Sequence, residues 1–356
     1  MTRYISLSLL WVAFACQEPV IEVLDDNFQC SSETALQYYS INELTKVMDD
    51  YIIEALGHGG RPNAEGAMGR NVAGYFHVRF QMGLAPFADY VMDVEDTALL
   101  DQLMTAIEYS FAHQLPAGNF ELLIPDDLQD LPAPTEGDMA SGVAFFSSAL
   151  GSALLSMQES DWFQADETAK ARLDKLKPAI QALLDYLKQQ EAVLFAYDAE
   201  APNRLLFDAM AFYSLGRYLD DEPARKMGLE YAKAALAERH PQGYFLEKGG
   251  WDTSYQGVGL ENGFRLLAFL LPDEPFREEL FASLSCATNW QASRILSMGE
   301  ISLAGNQRVF PGGEAFLGNE KQIAYKSTVV AFFYLHHFTG DDAYRRFAER
   351  IIEFYE

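Results

Sequence analysis

The chain has 356 residues, of which 49% are hydrophobic, and this is enough to bury a large core in one or two domains. Its formal net charge is −26, which makes nucleic acid and anionic lipid poor partners and requires a locally positive cleft if the substrate is a polyanion. Three cysteines are too few for a disulfide scaffold in a chain of this size.

The N-terminus has the features of an export signal. An apolar run over residues 5–14 is too short to span a membrane, and it is followed by Ala15-Cys16. We predict a signal over residues 1–16 with a lipid anchor at Cys16, and a polar tether over residues 17–32. These features place the protein outside the cytoplasm, as a bacterial lipoprotein of the outer membrane or periplasm. Plain secretion is the alternative, because Ala13-Phe14 departs from the usual lipobox.

Beyond the tether the hydrophobic pattern is helical, with apolar residues at three- and four-residue spacing in about eleven segments. Alternation typical of strands is confined to short pieces, which predict a small β-hairpin near residues 300–310. The predicted helices are Ala35–Leu56, Ala67–Val91, Thr97–Leu115, Met139–Met157, Glu167–Gln190, Arg204–Leu219, Ala224–Glu238, Ser254–Leu271, Pro275–Leu296, Lys321–Thr339 and Asp341–Phe354.

The ends of three predicted helices resemble one another. His113–Phe120 and His240–Phe245 each place a glycine and an aromatic residue before a long loop, and Gly299–Ile301 is a weaker third copy. This pattern predicts helical hairpins whose long loops gather on one rim, with spacing too irregular for a strict solenoid. We predict an all-α fold, an α/α toroid that forms a closed or incomplete ring, as a single domain over residues 33–356. An open α-solenoid is the alternative.

The stretch His240–Leu260 combines glycines with aromatic, carboxylate and amide side chains. Aromatic faces stack on the apolar faces of sugar rings, while carboxylates and amides bind hydroxyl groups, so the stretch indicates a sugar site. The alternative is a well-capped helix connection with aromatics in the core. The substrate-binding residues expected here are Tyr244, Glu247, Trp251, Asp252 and Gln256.

A second group of residues lies at helix starts and in the predicted hairpin: Asn203-Arg204, Tyr255, Gly305-Asn306-Gln307-Arg308, Lys321 and Tyr325. In layout, residues 110–356 resemble the α/α-toroid polysaccharide lyases of the alginate and glucuronan lyase kind. The resemblance implies that Asn203 helps to neutralise a uronate carboxylate and that Tyr255 transfers protons. The alginate lyase pattern has a histidine directly after this asparagine, and this chain has Arg204 instead.

β-Elimination from a uronate needs neutralisation of the carboxylate, a base for the C5 proton and an acid for the departing oxygen. We predict Tyr255, Asn203 and Arg204 as catalytic residues, with Asn306, Arg308 and Lys321 as further substrate contacts. A tyrosine can act as an acid without any pKa shift, but it needs nearby cations to act as a base. The sequence leaves the identity of the base open.

Two other functions remain possible at this stage. A glycoside hydrolase on the same scaffold would use paired carboxylates, with Glu247, Asp252 and Asp138 as candidates. A non-catalytic glycan-binding lipoprotein would use the same aromatic residues without proton transfer. The sequence predicts no metal site, because His336-His337 lacks a zinc motif, and no cofactor. The expected partner is a polysaccharide or oligosaccharide.

Overall fold

The computed structural model describes residues 36–46, 61–125, 133–316 and 319–356, so the predicted signal and tether lie outside the described residues. Two 3-10 helices, Gly69–Ala73 and Val78–Gly83, precede the second α-helix. Strands β1 (Ala315–Phe316) and β2 (Asn319–Glu320) pair antiparallel. The α-helices are α1 Ile41–Thr45, α2 Leu84–Val94, α3 Thr97–Ala112, α4 Glu136–Glu159, α5 Asp161–Ala165, α6 Glu167–Gln189, α7 Glu191–Asp198, α8 Pro202–Tyr218, α9 Glu222–Ala237, α10 Thr253–Phe269, α11 Phe276–Ala292, α12 Tyr325–Thr339 and α13 Asp342–Tyr355.

The helices form an inner and an outer layer. The inner helices α2, α4, α8, α10 and α12 are buried along much of their length, whereas the outer helices α6, α9 and α13 bury only one face. Side chains from all five inner helices line one central cavity, so these helices surround a common axis. The predicted α/α toroid is confirmed.

Helix α4 is long and apolar enough to cross a membrane by length and composition alone, but 94% of its apolar window is buried inside the protein. Its apolar character is explained by its place in the inner layer, where neighbouring helices cover it on all sides.

The connections from inner to outer helices are short and repeat one device. In Glu95-Asp96, Asp220-Asp221 and Gly340-Asp341, a residue with positive φ is followed by an aspartate. Each aspartate accepts hydrogen bonds from backbone N–H groups in the first turn of the next outer helix. A carboxylate at a helix N-terminus satisfies unpaired donors and complements the helix dipole. Part of the acidic excess therefore has a structural role.

The connections from outer to inner helices are long and lie on the opposite rim, as predicted. Three of them begin with the same tight turn, in which a β-bridge joins Gln114 to Phe120, Arg239 to Phe245 and Ile295 to Ile301. The three turns are the repeated segments of the sequence, and each contains a glycine with φ between 90° and 102°.

These turn glycines also allow close packing. A Cβ atom on Gly299 would lie 2.0 Å from the carbonyl oxygen of Arg350 on α13, and one on Gly118 would lie 2.1 Å from that of Ala182 on α6. A Cβ atom on Gly243 would lie 2.8 Å from the carbonyl oxygen of Cys286 on α11. The repeated turn therefore docks each outer helix against the next one, which explains why glycine recurs there.

Two predicted elements were misplaced. The segment 67–91 is not one helix, because Gly69 and Gly74 have positive φ angles that interrupt it before α2. The two-stranded sheet lies at residues 315–320 instead of near 300–310. There the chain forms turns held by the side chain of Asn306, which accepts from the backbone of Thr253 and donates to that of Val309.

Candidate functional site

A pocket of about 210 Å³ opens on the long-loop rim, where inner helices α8 and α10 begin. Helix N-termini carry partial positive charge, so this rim favours anions over cations. The residues that line the pocket are Arg79, Met82, Phe145, Asn203, Arg204, Phe207, Ser254, Tyr255, Val258, Val309, Lys321, Gln322 and Ala324. The structure therefore brings together the predicted residues Asn203, Arg204, Tyr255 and Lys321.

Asn203 and Arg204 lie in the first turn of α8, which Pro202 opens with its fixed φ angle. Asn203 is 3% exposed, and its Oδ1 has no hydrogen-bond partner among the described residues. Arg204 donates from Nη1 to Asp198 Oδ1 at 3.0 Å, which fixes the guanidinium beside the pocket. A buried carbonyl oxygen without a donor is costly, so Asn203 Oδ1 marks a point where a hydrogen-bond donor of a ligand would bind.

Arg79 is a pocket cation that the sequence did not single out as functional, because it lies in the segment predicted as an apolar helix. Its guanidinium is held against the ring of Phe145 at 4.2 Å and that of Phe316 at 4.8 Å. It forms no ion pair with any residue in the described ranges. Burial and the charge of Arg204 lower its pKa to about 10, so it remains a cation at neutral pH.

Tyr255 is the centre of a hydrogen-bonded group on the opposite wall. Its hydroxyl donates to Glu314 Oε2 at 2.9 Å and accepts from Nζ of Lys321. Lys321 Nζ also donates to Glu314 Oε1 at 3.1 Å. The guanidinium of Arg308 lies 3.9 Å from the centre of the Tyr255 ring. One carboxylate therefore holds both the phenol and the amine in place.

The protonation states of this group follow from burial. Burial raises the pKa of Tyr255 above its ordinary value, Glu314 adds to the rise, and Arg308 does not offset them. Burial lowers the pKa of Lys321 to about 8, helped by the charge of Arg79 and opposed by that of Glu314. The nearby cations therefore do not lower the pKa of Tyr255, which is the condition that a tyrosine base would need. Tyr255 is a proton donor, and Lys321 is the group that becomes neutral near physiological pH.

Two residues predicted to contact substrate lie behind the pocket instead. Arg308 is buried and donates to Glu247 and Glu314, and its backbone bonds to Asp252. Glu247 is 2% exposed, and burial raises its pKa to about 7 against the pull of Arg308. Both side chains are occupied with each other beneath Tyr255 and do not line the pocket, so they support that ring, and their predicted contact with substrate stays a prediction.

Three further predicted contacts are structural. Asp252 caps α10 and accepts from four backbone N–H groups, at Ser254, Tyr255, Arg308 and Val309, at 2.7 to 3.1 Å. Gln256 is buried and accepts from the backbone of Phe245 while donating to that of Ala287. Asn306 ties the loop to Thr253. None of these three side chains lines the pocket, and their predicted contact with substrate stays a prediction.

The aromatic residues of the same loop form a cluster beside the pocket. Tyr244 is buried, stacks on His240 at 4.4 Å and contacts Trp290. Trp251 is half-buried and donates from Nε1 to the carbonyl oxygen of Ala304 at 3.3 Å. Neither residue lines the pocket. Tyr244 packs inside this cluster, and the sugar-binding role of Tyr244 and Trp251 stays a prediction.

No carboxylate lines the pocket in the described part of the chain. The predicted hydrolase pair Glu247 and Asp252 is buried and occupied, and Asp138 caps α4 and accepts from Tyr197. No group of three or more metal-ligating side chains was found among the described residues. The pocket therefore offers two guanidinium groups, an amine, an amide and a phenol, which together suit an anionic substrate and proton transfer.

No protein-family model matches the sequence, and no curated protein matches it either. Among solved structures, the fold is similar to one described as a polysaccharide lyase, with a TM-score of 0.51, 9% identity, and coverage of 87% of this chain and 83% of that chain. A second similar structure is a sugar epimerase from a ruminal bacterium, with a TM-score of 0.49, 14% identity, and coverage of 88% and 85%. At these identities the likeness to the lyase concerns the fold alone.

Proposed function

We propose that this protein is a polysaccharide lyase that cleaves a uronate-containing glycan by β-elimination. The observation that carries the proposal is the pocket itself, where Arg79, Arg204 and Asn203 lie together with the phenol of Tyr255 and the amine of Lys321. The structural likeness to a polysaccharide lyase supports a carbohydrate substrate on this fold.

The first step requires a more acidic C5 proton. Arg79 has no carboxylate partner among the described residues, so its charge is available for the uronate carboxylate. Asn203 lines the pocket, and its Nδ2 group is the donor for the same carboxylate and for the enolate that forms when the proton leaves.

The proton transfers follow from the bond between Lys321 and Tyr255. Neutral Lys321 takes the C5 proton, the C4–O bond breaks, and the Tyr255 phenol gives its proton to the departing oxygen. The products are an unsaturated uronate and a new hydroxyl end, and the enzyme is left with an ammonium beside a phenolate. Proton transfer along their hydrogen bond restores both groups. Since acid and base are neighbours, they act on the same face of the sugar.

The alternatives are less well supported by this geometry. A hydrolase needs a carboxylic acid and a second carboxylate at the scissile bond, and the described pocket lining contains neither. A binding protein needs no amine with a lowered pKa beside a phenol, and such perturbed groups cluster at catalytic sites.

We also propose that the protein works outside the cytoplasm. The support is the N-terminal sequence with Cys16 as the lipidation site, together with the disulfide bond of Cys286, since disulfides persist mainly in oxidising compartments. Labelling of cells with radioactive fatty acid tests the anchor, and a Cys16→Ser variant that still incorporates label would refute it.

The activity is tested by incubating the signal-free protein with alginate, glucuronan, pectate and glycosaminoglycans, and by following the ultraviolet absorbance of unsaturated uronates. We expect a rise with one polymer. Tyr255→Phe should reduce turnover by about 10² to 10⁴ while leaving affinity intact. Tyr244→Phe is the matched control, because Tyr244 lies outside the pocket. New reducing ends without an absorbance rise would indicate hydrolysis, and binding without either product would indicate a glycan-binding protein.

A further inference from the structure

A second cavity of about 320 Å³ continues from the pocket into the centre of the toroid. The two share the wall formed by Met82, Phe207, Val258 and Ala324, so they are parts of one cleft. Along α10, the inner cavity reaches Arg265, ten residues beyond Tyr255, which corresponds to a depth of about 15 Å. We call this second cavity the central well.

The central well is closed at its base. Helix α1 enters the ring there, with Ile41 and Leu44 fully buried and Thr45 lining the well. Asn42 fixes the helix to α4, since its Nδ2 donates to the carbonyl oxygen of Ser156 at 3.0 Å and its Oδ1 accepts from the Ser156 hydroxyl at 2.7 Å. A polysaccharide chain that enters the well therefore cannot continue through the ring.

The well contains polar groups that the proposed elimination does not use. Asp89 is 5% exposed, and its Oδ2 accepts from Arg265 while its Oδ1 has no partner among the described residues. Ser148 and Asn262 are neighbours on the wall of the well, and Ser148 Oγ donates to Asn262 Oδ1 at 3.5 Å, which is the limit of a hydrogen bond. Apolar side chains form most of the remaining wall. This combination of a few hydrogen-bonding groups on an apolar surface suits the hydroxyls and C–H faces of a sugar ring.

The charges of the well differ from those of the pocket. Two carboxylates, Asp89 and Glu261, share the single guanidinium of Arg265, and Lys326 has its own partner in Glu356 at 3.5 Å. A uronate placed here would bring a third carboxylate to one arginine, which like-charge repulsion and burial both oppose. The pocket, in contrast, offers the unpaired Arg79.

We propose that the central well is the subsite for the terminal sugar of the chain, and that this sugar is uncharged. The inference deepens the proposed function. A uronate lies in the pocket, and its neighbour at the reducing end of the chain lies in the well. Breaking the C4–O bond on the other side of the uronate then releases an unsaturated disaccharide, so the products have one size. The enzyme is then end-directed, and its substrate is a glycan that carries a neutral sugar next to a uronate.

Product sizes test the end-directed mode on whichever polymer yields unsaturated product. Size-exclusion chromatography should show a single small unsaturated product from the first time point, while the remaining polymer stays long. An early ladder of intermediate sizes would overturn the proposal without affecting the lyase assignment.

Ser327 on α12 offers a way to fill the well, because it is half-buried and lines the cavity. Ser327→Trp should lower kcat/KM by at least about 10-fold. Ala343→Trp, in the first turn of α13 and outside both cavities, is the matched control for a tryptophan near a helix start. Ser327→Leu serves if the larger side chain prevents folding. Unchanged kcat/KM in a folded Ser327 variant would contradict the proposal.

The well can be tested even if no polymer is cleaved, which would refute the proposed function. Saturation-transfer NMR with methyl glucoside, methyl galactoside and methyl mannoside should detect binding of at least one to the wild type and to Ala343→Trp, and a signal at least about 10-fold weaker for Ser327→Trp. Equal signals for all three proteins, or no signal for any of them, would overturn the subsite.

Discussion

Glu314 is expected to stabilise the fold as well as to hold the catalytic pair, and Glu314→Gln tests this. Burial of its carboxylate opposes ionisation, but the hydrogen bonds from Arg308 and the charge of Lys321 outweigh burial and lower its pKa from 4.5 to about 2. A shift of this size corresponds to at most about 3 kcal/mol of stability. Because the pKa is lowered in the folded protein, this stability is present above pH 4.5 and is lost as the pH falls through about 2.

The assay is urea denaturation of the wild type and Glu314→Gln between pH 7 and pH 3. At pH 7 the variant should lose up to about 3 kcal/mol of unfolding free energy, and the difference between the two proteins should narrow as the pH falls. Glu353→Gln on the exposed face of α13 is the control and should change stability by less than about 0.5 kcal/mol. A Glu314→Gln difference that is the same at every pH would refute the electrostatic explanation.

The remaining predictions concern catalysis, binding and packing. Turnover should rise with pH until about 8 and then stay constant, because Lys321 acts as a neutral amine. Lys321→Arg should lose most of the turnover, and a wild-type rate that is flat between pH 6 and 9 would exclude Lys321 as the base. Arg79→Ala should weaken binding of the uronate substrate by about 1–3 kcal/mol in calorimetry. The exposed Arg346→Ala is the control, and equal affinities of the two variants would exclude Arg79 from the site. Gly299→Ala should lower the free energy of unfolding by more than about 2 kcal/mol in denaturation, because an added Cβ would clash with α13. Gly340 also has a positive φ but has open space around it, so Gly340→Ala should lower this free energy by only about 1 kcal/mol. Equal losses would show that backbone strain alone matters.

Much of the fold was predictable because helix periodicity and turn chemistry are local. The segments at 113–120, 240–245 and 299–301 form the same turn, and the glycine that recurs in each of them allowed the similarity to be predicted from the sequence. The prediction of one helix over residues 67–91 was wrong because Gly69 and Gly74 take left-handed backbone angles. The apolar residues of the segment keep helical spacing, so the hydrophobic pattern alone does not show this interruption. The position of the small sheet failed because Asn306 and Asp252 fix the preceding loop through contacts distant in sequence.

The candidate site was predictable where its residues lie at helix starts. Asn203, Arg204 and Tyr255 were named from the layout of the chain, and they share the pocket because the first turns of two inner helices meet at one rim. Arg79 was missed, because only the tertiary structure shows that it reaches the same pocket without a carboxylate partner. The stretch His240–Leu260, which has many polar and aromatic side chains, was predicted to bind a sugar, but most of its polar side chains lie outside the pocket. Its carboxylates and amides satisfy backbone groups and bury each other, and such roles depend on partners more than 30 residues away.

The arrangement is also consistent with the proposal that so acidic a protein accepts a polyanionic substrate. Aspartates at the short connections cap outer helices on the rim opposite the site, so part of the negative charge is kept at a distance from the substrate. At the site, each carboxylate near Tyr255 is matched by Arg308 or Lys321, and Asp198 is matched by Arg204. Among the described pocket residues, this leaves Arg79 as the cation without a carboxylate partner. Repulsion between the protein surface and a polyanion is screened within about 10 Å at ordinary salt, whereas the half-buried Arg79 is screened less. Binding therefore depends on the local charge of the pocket, and lower salt should slow the approach of the polymer while leaving its bound geometry unchanged.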